Sequence, residues 1–155
     1  MQLRLFMSHP KTPCIGICST TSLGDSVCRG CKRYSFEVIN WNSYDAEAKK
    51  AVLMRIEKLV CQIIERKLTI YSISDLKAGL KRANIAFDLN LSPYCWLHNL
   101  LKKRHNQIDN LNNYGVAIDP SVSERSVVEI FQIIEEDLLA LSQAHFDRYL
   151  GHVIN

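Results

Sequence analysis

The chain has 155 residues, 47% of them hydrophobic, which supports one domain with a buried core and leaves no length for a second full-sized one. Its net charge of +3 is unevenly spread: residues 1–110 hold 17 Lys and Arg against 9 Asp and Glu, and residues 111–155 hold two against seven. Oppositely charged parts of one chain pair with each other or face solvent, with a polyanion-binding front face as the sharper reading.

No run approaches the ~20 apolar residues of a membrane span. The segment Met1–Met7 is too short for a secretory h-region and lacks a small-residue cleavage site. The expectation is a cytoplasmic protein with no membrane partner.

Taken in chain order, residues 1–13 read as an irregular arm. Pro10 and Pro13 each remove a donor and bias the residue before them away from helix. Residues 14–31 hold four cysteines around a stretch rich in Ser, Thr, Gly and Asp, which predicts turns. Residues 43–69 predict one long helix, capped by Asn42 or Ser43 and apolar on more than one face. Ser74 is expected to cap a second helix over 75–86. Ser92 followed by Pro93 opens a third, Ser as cap and Pro at the first helical position. It fades near residues 110–115. Ser123 is expected to cap the last helix, whose apolar residues recur at three and four from Val127 to Tyr149, with Gly151 at its stop. No strand pair stands out. The expected fold is mainly α: a small N-terminal four-cysteine metal-binding knuckle followed by a bundle of about four helices. The boundary is placed between an arm and metal module over 1–43 and a helical body over 44–155.

The four cysteines carry the chemistry. Cys14-x3-Cys18 and Cys28-x2-Cys31 are two close pairs joined by a nine-residue loop. Such pairs bring four thiolates around one centre, each on a tight turn. Gly16 and Gly30 lie inside the pairs, where the backbone must curl and aim N–H groups at sulfur. Arg29, Lys32 and Arg33 crowd the second pair and offset thiolate charge. Two disulfides are the competing arrangement, disfavoured in a reducing compartment. Zinc suits a closed tetrahedral thiolate site, and an iron–sulfur cluster also takes four cysteines, so both metals stay open. Cys61 and Cys95 are expected as core fillers inside helices. His98 and His105, seven apart with no evident carboxylate partner, are expected to be solvated or capping, and His145 to be a satisfied core residue.

Pro13-Cys14-Ile-Gly16-Ile-Cys18, Cys28-Arg-Gly30-Cys31-Lys-Arg33, Glu37-Val38 and Trp41 resemble the motif of a small bacterial family of unknown function typified by YdhL. Its members share this pattern followed by a helix and are described as predicted iron–sulfur proteins. The resemblance covers about residues 13–58. It implies a bacterial cytoplasmic metal protein and brings no reaction with it. Lys32 stands where many members have glycine, and most members stop soon after the helix, whereas this chain continues. Beside the resemblance, Arg33 and Glu37 are spaced to pair on a helical turn, and Trp41 is expected to pack over the knuckle.

Two functions follow as expectations. In the first, the four-cysteine site organises the front of the chain for contact with a protein or RNA partner. Lys11, Arg29 and Lys32 are then candidate contacts, extended by Lys81, Arg82, Lys102, Lys103 and Arg104. In the second, an iron–sulfur cluster transfers one electron to a partner or senses oxidants. No Ser-His-Asp set, phosphate loop or carboxylate pair stands out, so neither an independent catalytic activity nor a small-molecule substrate is expected.

Overall fold

A computed structural model describes residues 9–151. The chain is mainly α. Among the described residues it forms six α-helices, α1 (Ser19–Leu23), α2 (Ser35–Asn40), α3 (Ala46–Ile64), α4 (Ile73–Arg82), α5 (Pro93–Arg104) and α6 (Val127–Tyr149). Two short strands, β1 (Leu68–Ile70) and β2 (Val116–Ile118), and four short 3-10 turns accompany them. As far as residue 8, the arm expected over 1–13 lies outside the described residues.

The long helices form where their caps and periodicity place them, with shifted ends. At α5 the expected signal holds: Ser92 Oγ accepts from Tyr94 N–H at 3.3 Å, and Pro93 opens the helix. Helix α4 is capped by Ser72 rather than Ser74; its Oγ accepts from Asp75 N–H at 3.2 Å. Helix α6 starts after Ser126 rather than Ser123. Ser126 N–H donates to Glu129 Oε2 at 2.8 Å while Glu129 N–H donates to Ser126 Oγ at 3.2 Å, a reciprocal box that satisfies two otherwise orphaned donors. Ser123 instead closes the turn after Pro120 by donating to its carbonyl at 3.1 Å.

Helix α3 ends at Ile64, short of the expected residue 69, because the next residues join a sheet. Strands β1 and β2 pair antiparallel, with Leu68 opposite Ile118, Thr69 opposite Ala117 and Ile70 opposite Val116. This corrects the expectation of no strand pair. Three residues per strand carry too short an alternation to be read locally, and the partners lie far apart in sequence. Gly115, at φ +68°, turns the chain into β2, and a Cβ there would run into the Ser72 carbonyl oxygen.

The described residues divide into two compact units, 9–57 with 139–151, and 58–138. The first unit joins the front of the chain, through the start of α3, to the last turns of α6. Its core is Val27, Tyr34 and Phe146, with Phe36, Leu139 and Leu150 packed against it. Tyr34 meets Phe146 edge-on with ring centroids 5.3 Å apart. The second unit buries Leu76, Leu80, Leu97, Leu100, Ile130 and Ile134 completely. Within it Lys67 Nζ meets Asp137 Oδ2 at 2.7 Å. Among the described residues no helix is long and apolar enough to cross a membrane.

Candidate metal centre

The second cysteine pair sits on the tip of a tight hairpin. Val27 and Tyr34 form an isolated antiparallel bridge. Inside it, Cys28 N–H donates to Arg33 O and Lys32 N–H donates to Cys28 O, both at 2.9 Å. Such a turn needs a left-handed residue, and here Lys32 supplies it at φ +63°. Glycine enters that conformation at no steric cost, which gives a physical reason for a glycine at this position. Lys32 is buried, and its Nζ folds back to donate to the carbonyls of Arg29 at 2.6 Å and Gly30 at 3.3 Å. Its ammonium therefore serves the loop. Lys11 and Arg29 are exposed, Arg29 Nε meeting Asp25 Oδ2 at 2.9 Å.

The first pair flanks a left-handed glycine. Gly16 has φ +95°, and its N–H donates to Cys14 Sγ at 3.4 Å. Cys18 precedes helix α1, a short turn of helix where a loop of turn-forming residues is expected. Cys18 Sγ and Thr20 Oγ1 are 2.9 Å apart. That hydroxyl first, then the Thr21 hydroxyl and N–H, carry the Cys18 thiol down to about 6.

The two loops touch. A Cβ on Gly30 would come within 2.7 Å of the Ile15 side chain and 3.4 Å of the Ile17 carbonyl oxygen, so the second loop lies against the first at Gly30. Arg29 N–H donates to Ser19 Oγ at 2.8 Å. Burial works to raise the Cys28 thiol, yet backbone N–H groups of Cys31, Ser19 and Gly30 aimed at its sulfur carry it below the ordinary value. Cys31 goes the other way: burial raises it, and Arg33, whose Nε donates to its Sγ at 3.3 Å, only partly offsets this.

Arg33 and Glu37 do not pair with each other. Arg33 is taken by the Cys31 sulfur and by Trp41, lying 4.8 Å from the ring centroid. Glu37 instead holds Arg55 of α3 by two bonds, 2.7 and 2.8 Å. A charge-matched residue 18 positions away wins because its fork meets both carboxylate oxygens in parallel. Trp41 is buried, with Tyr44 at 6.4 Å and the Lys49 ammonium at 5.7 Å.

As a donor set the four thiols fit zinc or a cluster, and the backbone donors aimed at sulfur suit a bound thiolate. Cys28 and Cys31 are buried, Cys18 is half-buried and Cys14 is exposed. Among the described residues no three His, Cys, Asp or Glu stand in a group that could hold a metal ion, so the four sulfurs are not drawn together in this conformation.

Outside the front, one histidine expectation changes and one holds. His98 has a carboxylate partner, its Nε2 lying 2.7 Å from Glu135 Oε1. His105 takes the expected capping place at the end of α5, its Nδ1 2.8 Å from the Leu101 carbonyl oxygen, and it also stacks on Phe131 at 4.5 Å. Glu135 and Phe131 lie on α6, out of reach of any local spacing argument. In the second unit Arg82, Gln107, Asn110, Asn113 and Tyr114 line a polar groove of about 460 Å³.

Residues 12–59 match the model of a family described as a protein of unknown function, DUF1289. This segment contains all four front cysteines, Glu37, Trp41 and Arg55. No curated protein and no solved structure shows significant similarity to the chain.

Proposed function

We propose that Cys14, Cys18, Cys28 and Cys31 hold one metal centre, a zinc ion or an iron–sulfur cluster, in a cytoplasmic protein, and that this site organises the front of the chain for contact with a protein or RNA partner. The observation that carries the reading is a donor set on a sulfur of each pair: Gly16 N–H lies 3.4 Å from Cys14 Sγ and Arg33 Nε 3.3 Å from Cys31 Sγ. Donors aimed at sulfur stabilise the thiolate, the form that binds metal. A cysteine serving only as core filler needs no such donor. The two loops already meet where Arg29 N–H donates to Ser19 Oγ at 2.8 Å, and bound metal would cross-link them.

The contact surface in this reading combines Lys11 and Arg29 with Ile15, Ile17 and Leu23, all exposed. Apolar side chains on metal-held loops beside cations suit a partner that is itself amphipathic or anionic. Arg33 also favours a second reading, one-electron transfer. A charge-assisted donor to sulfur stabilises the more negative, reduced form of a cluster and so raises its potential.

Purification without oxygen, followed by a visible spectrum and assays for zinc, iron and sulfide, tests both readings. One zinc per colourless chain supports the structural site and sinks the redox account. Iron with matching sulfide in a brown protein does the reverse. A chain that takes up neither metal overturns the proposal. C28S is expected to lose the metal and loosen the front while far-UV helicity largely persists. Retention on RNA that weakens steeply with salt supports a nucleic-acid partner.

A further inference from the structure

Cys61 lies near the end of α3 and Cys95 in the first turn of α5, both in the second compact unit. Their Sγ atoms are 3.7 Å apart. Each side chain is half-buried, unlike the neighbouring Leu97 and Leu100, which are sealed. Sulfurs 3.7 Å apart need only a short closing movement to reach the ~2.05 Å of a disulfide. Partial exposure leaves a path for a small oxidant. Two fully buried cysteines would be inert fillers, and two exposed ones would have no reason to meet.

We propose that Cys61 and Cys95 form a reversible dithiol–disulfide site whose oxidant is a hydroperoxide. One sulfur attacks the terminal peroxide oxygen and the O–O bond breaks. This leaves a sulfenic acid on that cysteine, while the departing oxygen takes up the thiol proton and leaves as alcohol or water. The second sulfur then attacks the sulfenic sulfur; the S–S bond forms, the S–O bond breaks and water leaves carrying the second thiol proton. The two thiols together give up two electrons and two protons, and the peroxide is reduced by both electrons. An external dithiol reverses the process by exchange. The closed bond ties α3 to α5 and encloses β1 and α4 in a covalent ring, tightening the second unit. The site shares no residue with the front cysteines, so it stands whether or not they hold a metal.

The sequence makes the test direct. Trypsin cuts after Lys58, Arg66, Arg82 and Lys102, which places Cys61 and Cys95 in separate peptides, each with no other cysteine. The full chain is treated with hydrogen peroxide, blocked with N-ethylmaleimide and digested. The expected product is peptide 59–66 linked to peptide 83–102, lost on treatment with dithiothreitol. Recovery of both peptides in maleimide-labelled form overturns the site, and so does linkage of either one to a front cysteine in place of the other. In C61S and C95S the sulfenic acid has no resolving partner, so dimedone is expected to label at least one of the two variants; labelling of neither overturns the proposed steps.

Discussion

Arg55 and Glu37 form an ionic clasp within the front unit. The guanidinium reaches from α3 to the carboxylate of α2 with two parallel bonds of 2.7 and 2.8 Å, and it also lies 3.9 Å from the Tyr34 ring centroid. Glu37 Oε1 further accepts from Tyr34 N–H at 2.8 Å, so one carboxylate caps α2 and anchors α3. The hairpin that presents Cys28 and Cys31 is thereby fastened to the long helix.

R55M removes the cation and leaves a carboxylate whose side chain is only 5% exposed. Because the Arg55 side chain is 28% exposed, the expected cost is about 2–3 kcal/mol, at or below the lower end for breaking a buried pair. The double variant E37Q/R55M is expected to cost less than the sum of the single changes. Urea denaturation measures all three, and strict additivity would refute the clasp.

Lys32 offers a separate test of the cysteine hairpin. K32A keeps the left-handed strain and loses the ammonium bonds to the loop carbonyls, whereas K32G loses the bonds but relieves the strain. K32G is expected to be the more stable of the two by about 1 kcal/mol. Equal thermal unfolding of the two variants would mean that residue 32 is not held at positive φ.

The start of α6 separates two serines. S126A is expected to destabilise the chain by about 1 kcal/mol, the usual cost of losing a cap. S123A should stay within about 0.5 kcal/mol, as for ordinary surface changes. A reversed order in thermal melts would place the cap at Ser123.

Two glycines of similar φ separate strain from collision. At Gly24, φ +75°, an added Cβ meets open space, whereas a Cβ on Gly115 strikes backbone. G24A is expected to cost about 1 kcal/mol and G115A clearly more. Comparable melting temperatures for the two variants would contradict the close approach of Gly115 to Ser72.

Burial raises Tyr34 and Tyr44 above the ordinary phenol value of 10.0, most of all by keeping the charged form from water. A raised folded value means that the neutral phenol is favoured in the fold. That contribution is fully present below about pH 10 and is lost as pH rises through the folded value. Absorbance titration should show a late tyrosine fraction that shrinks in Y34F and Y44F; a single ordinary transition would rule this out.

Much of the architecture was legible locally. Ser92-Pro93, the three- and four-residue apolar spacing of α6 and the left-handed turn at Gly16 each state their role within a few residues, because helix periodicity, caps and turns are local physics. Where caps slipped, from Ser74 to Ser72 and from Ser123 to Ser126, several serines stood close together and only the register of the packed helix chose among them. The tertiary structure alone decided the pairings between distant residues. It set β1 against β2, gave Glu37 to Arg55 and not Arg33, put a carboxylate beside His98, and brought the sulfurs of Cys61 and Cys95 to 3.7 Å. A sequence places each group on its own element; which partner it meets depends on how the elements pack, since burial energy is spread over many side chains and no single spacing encodes it.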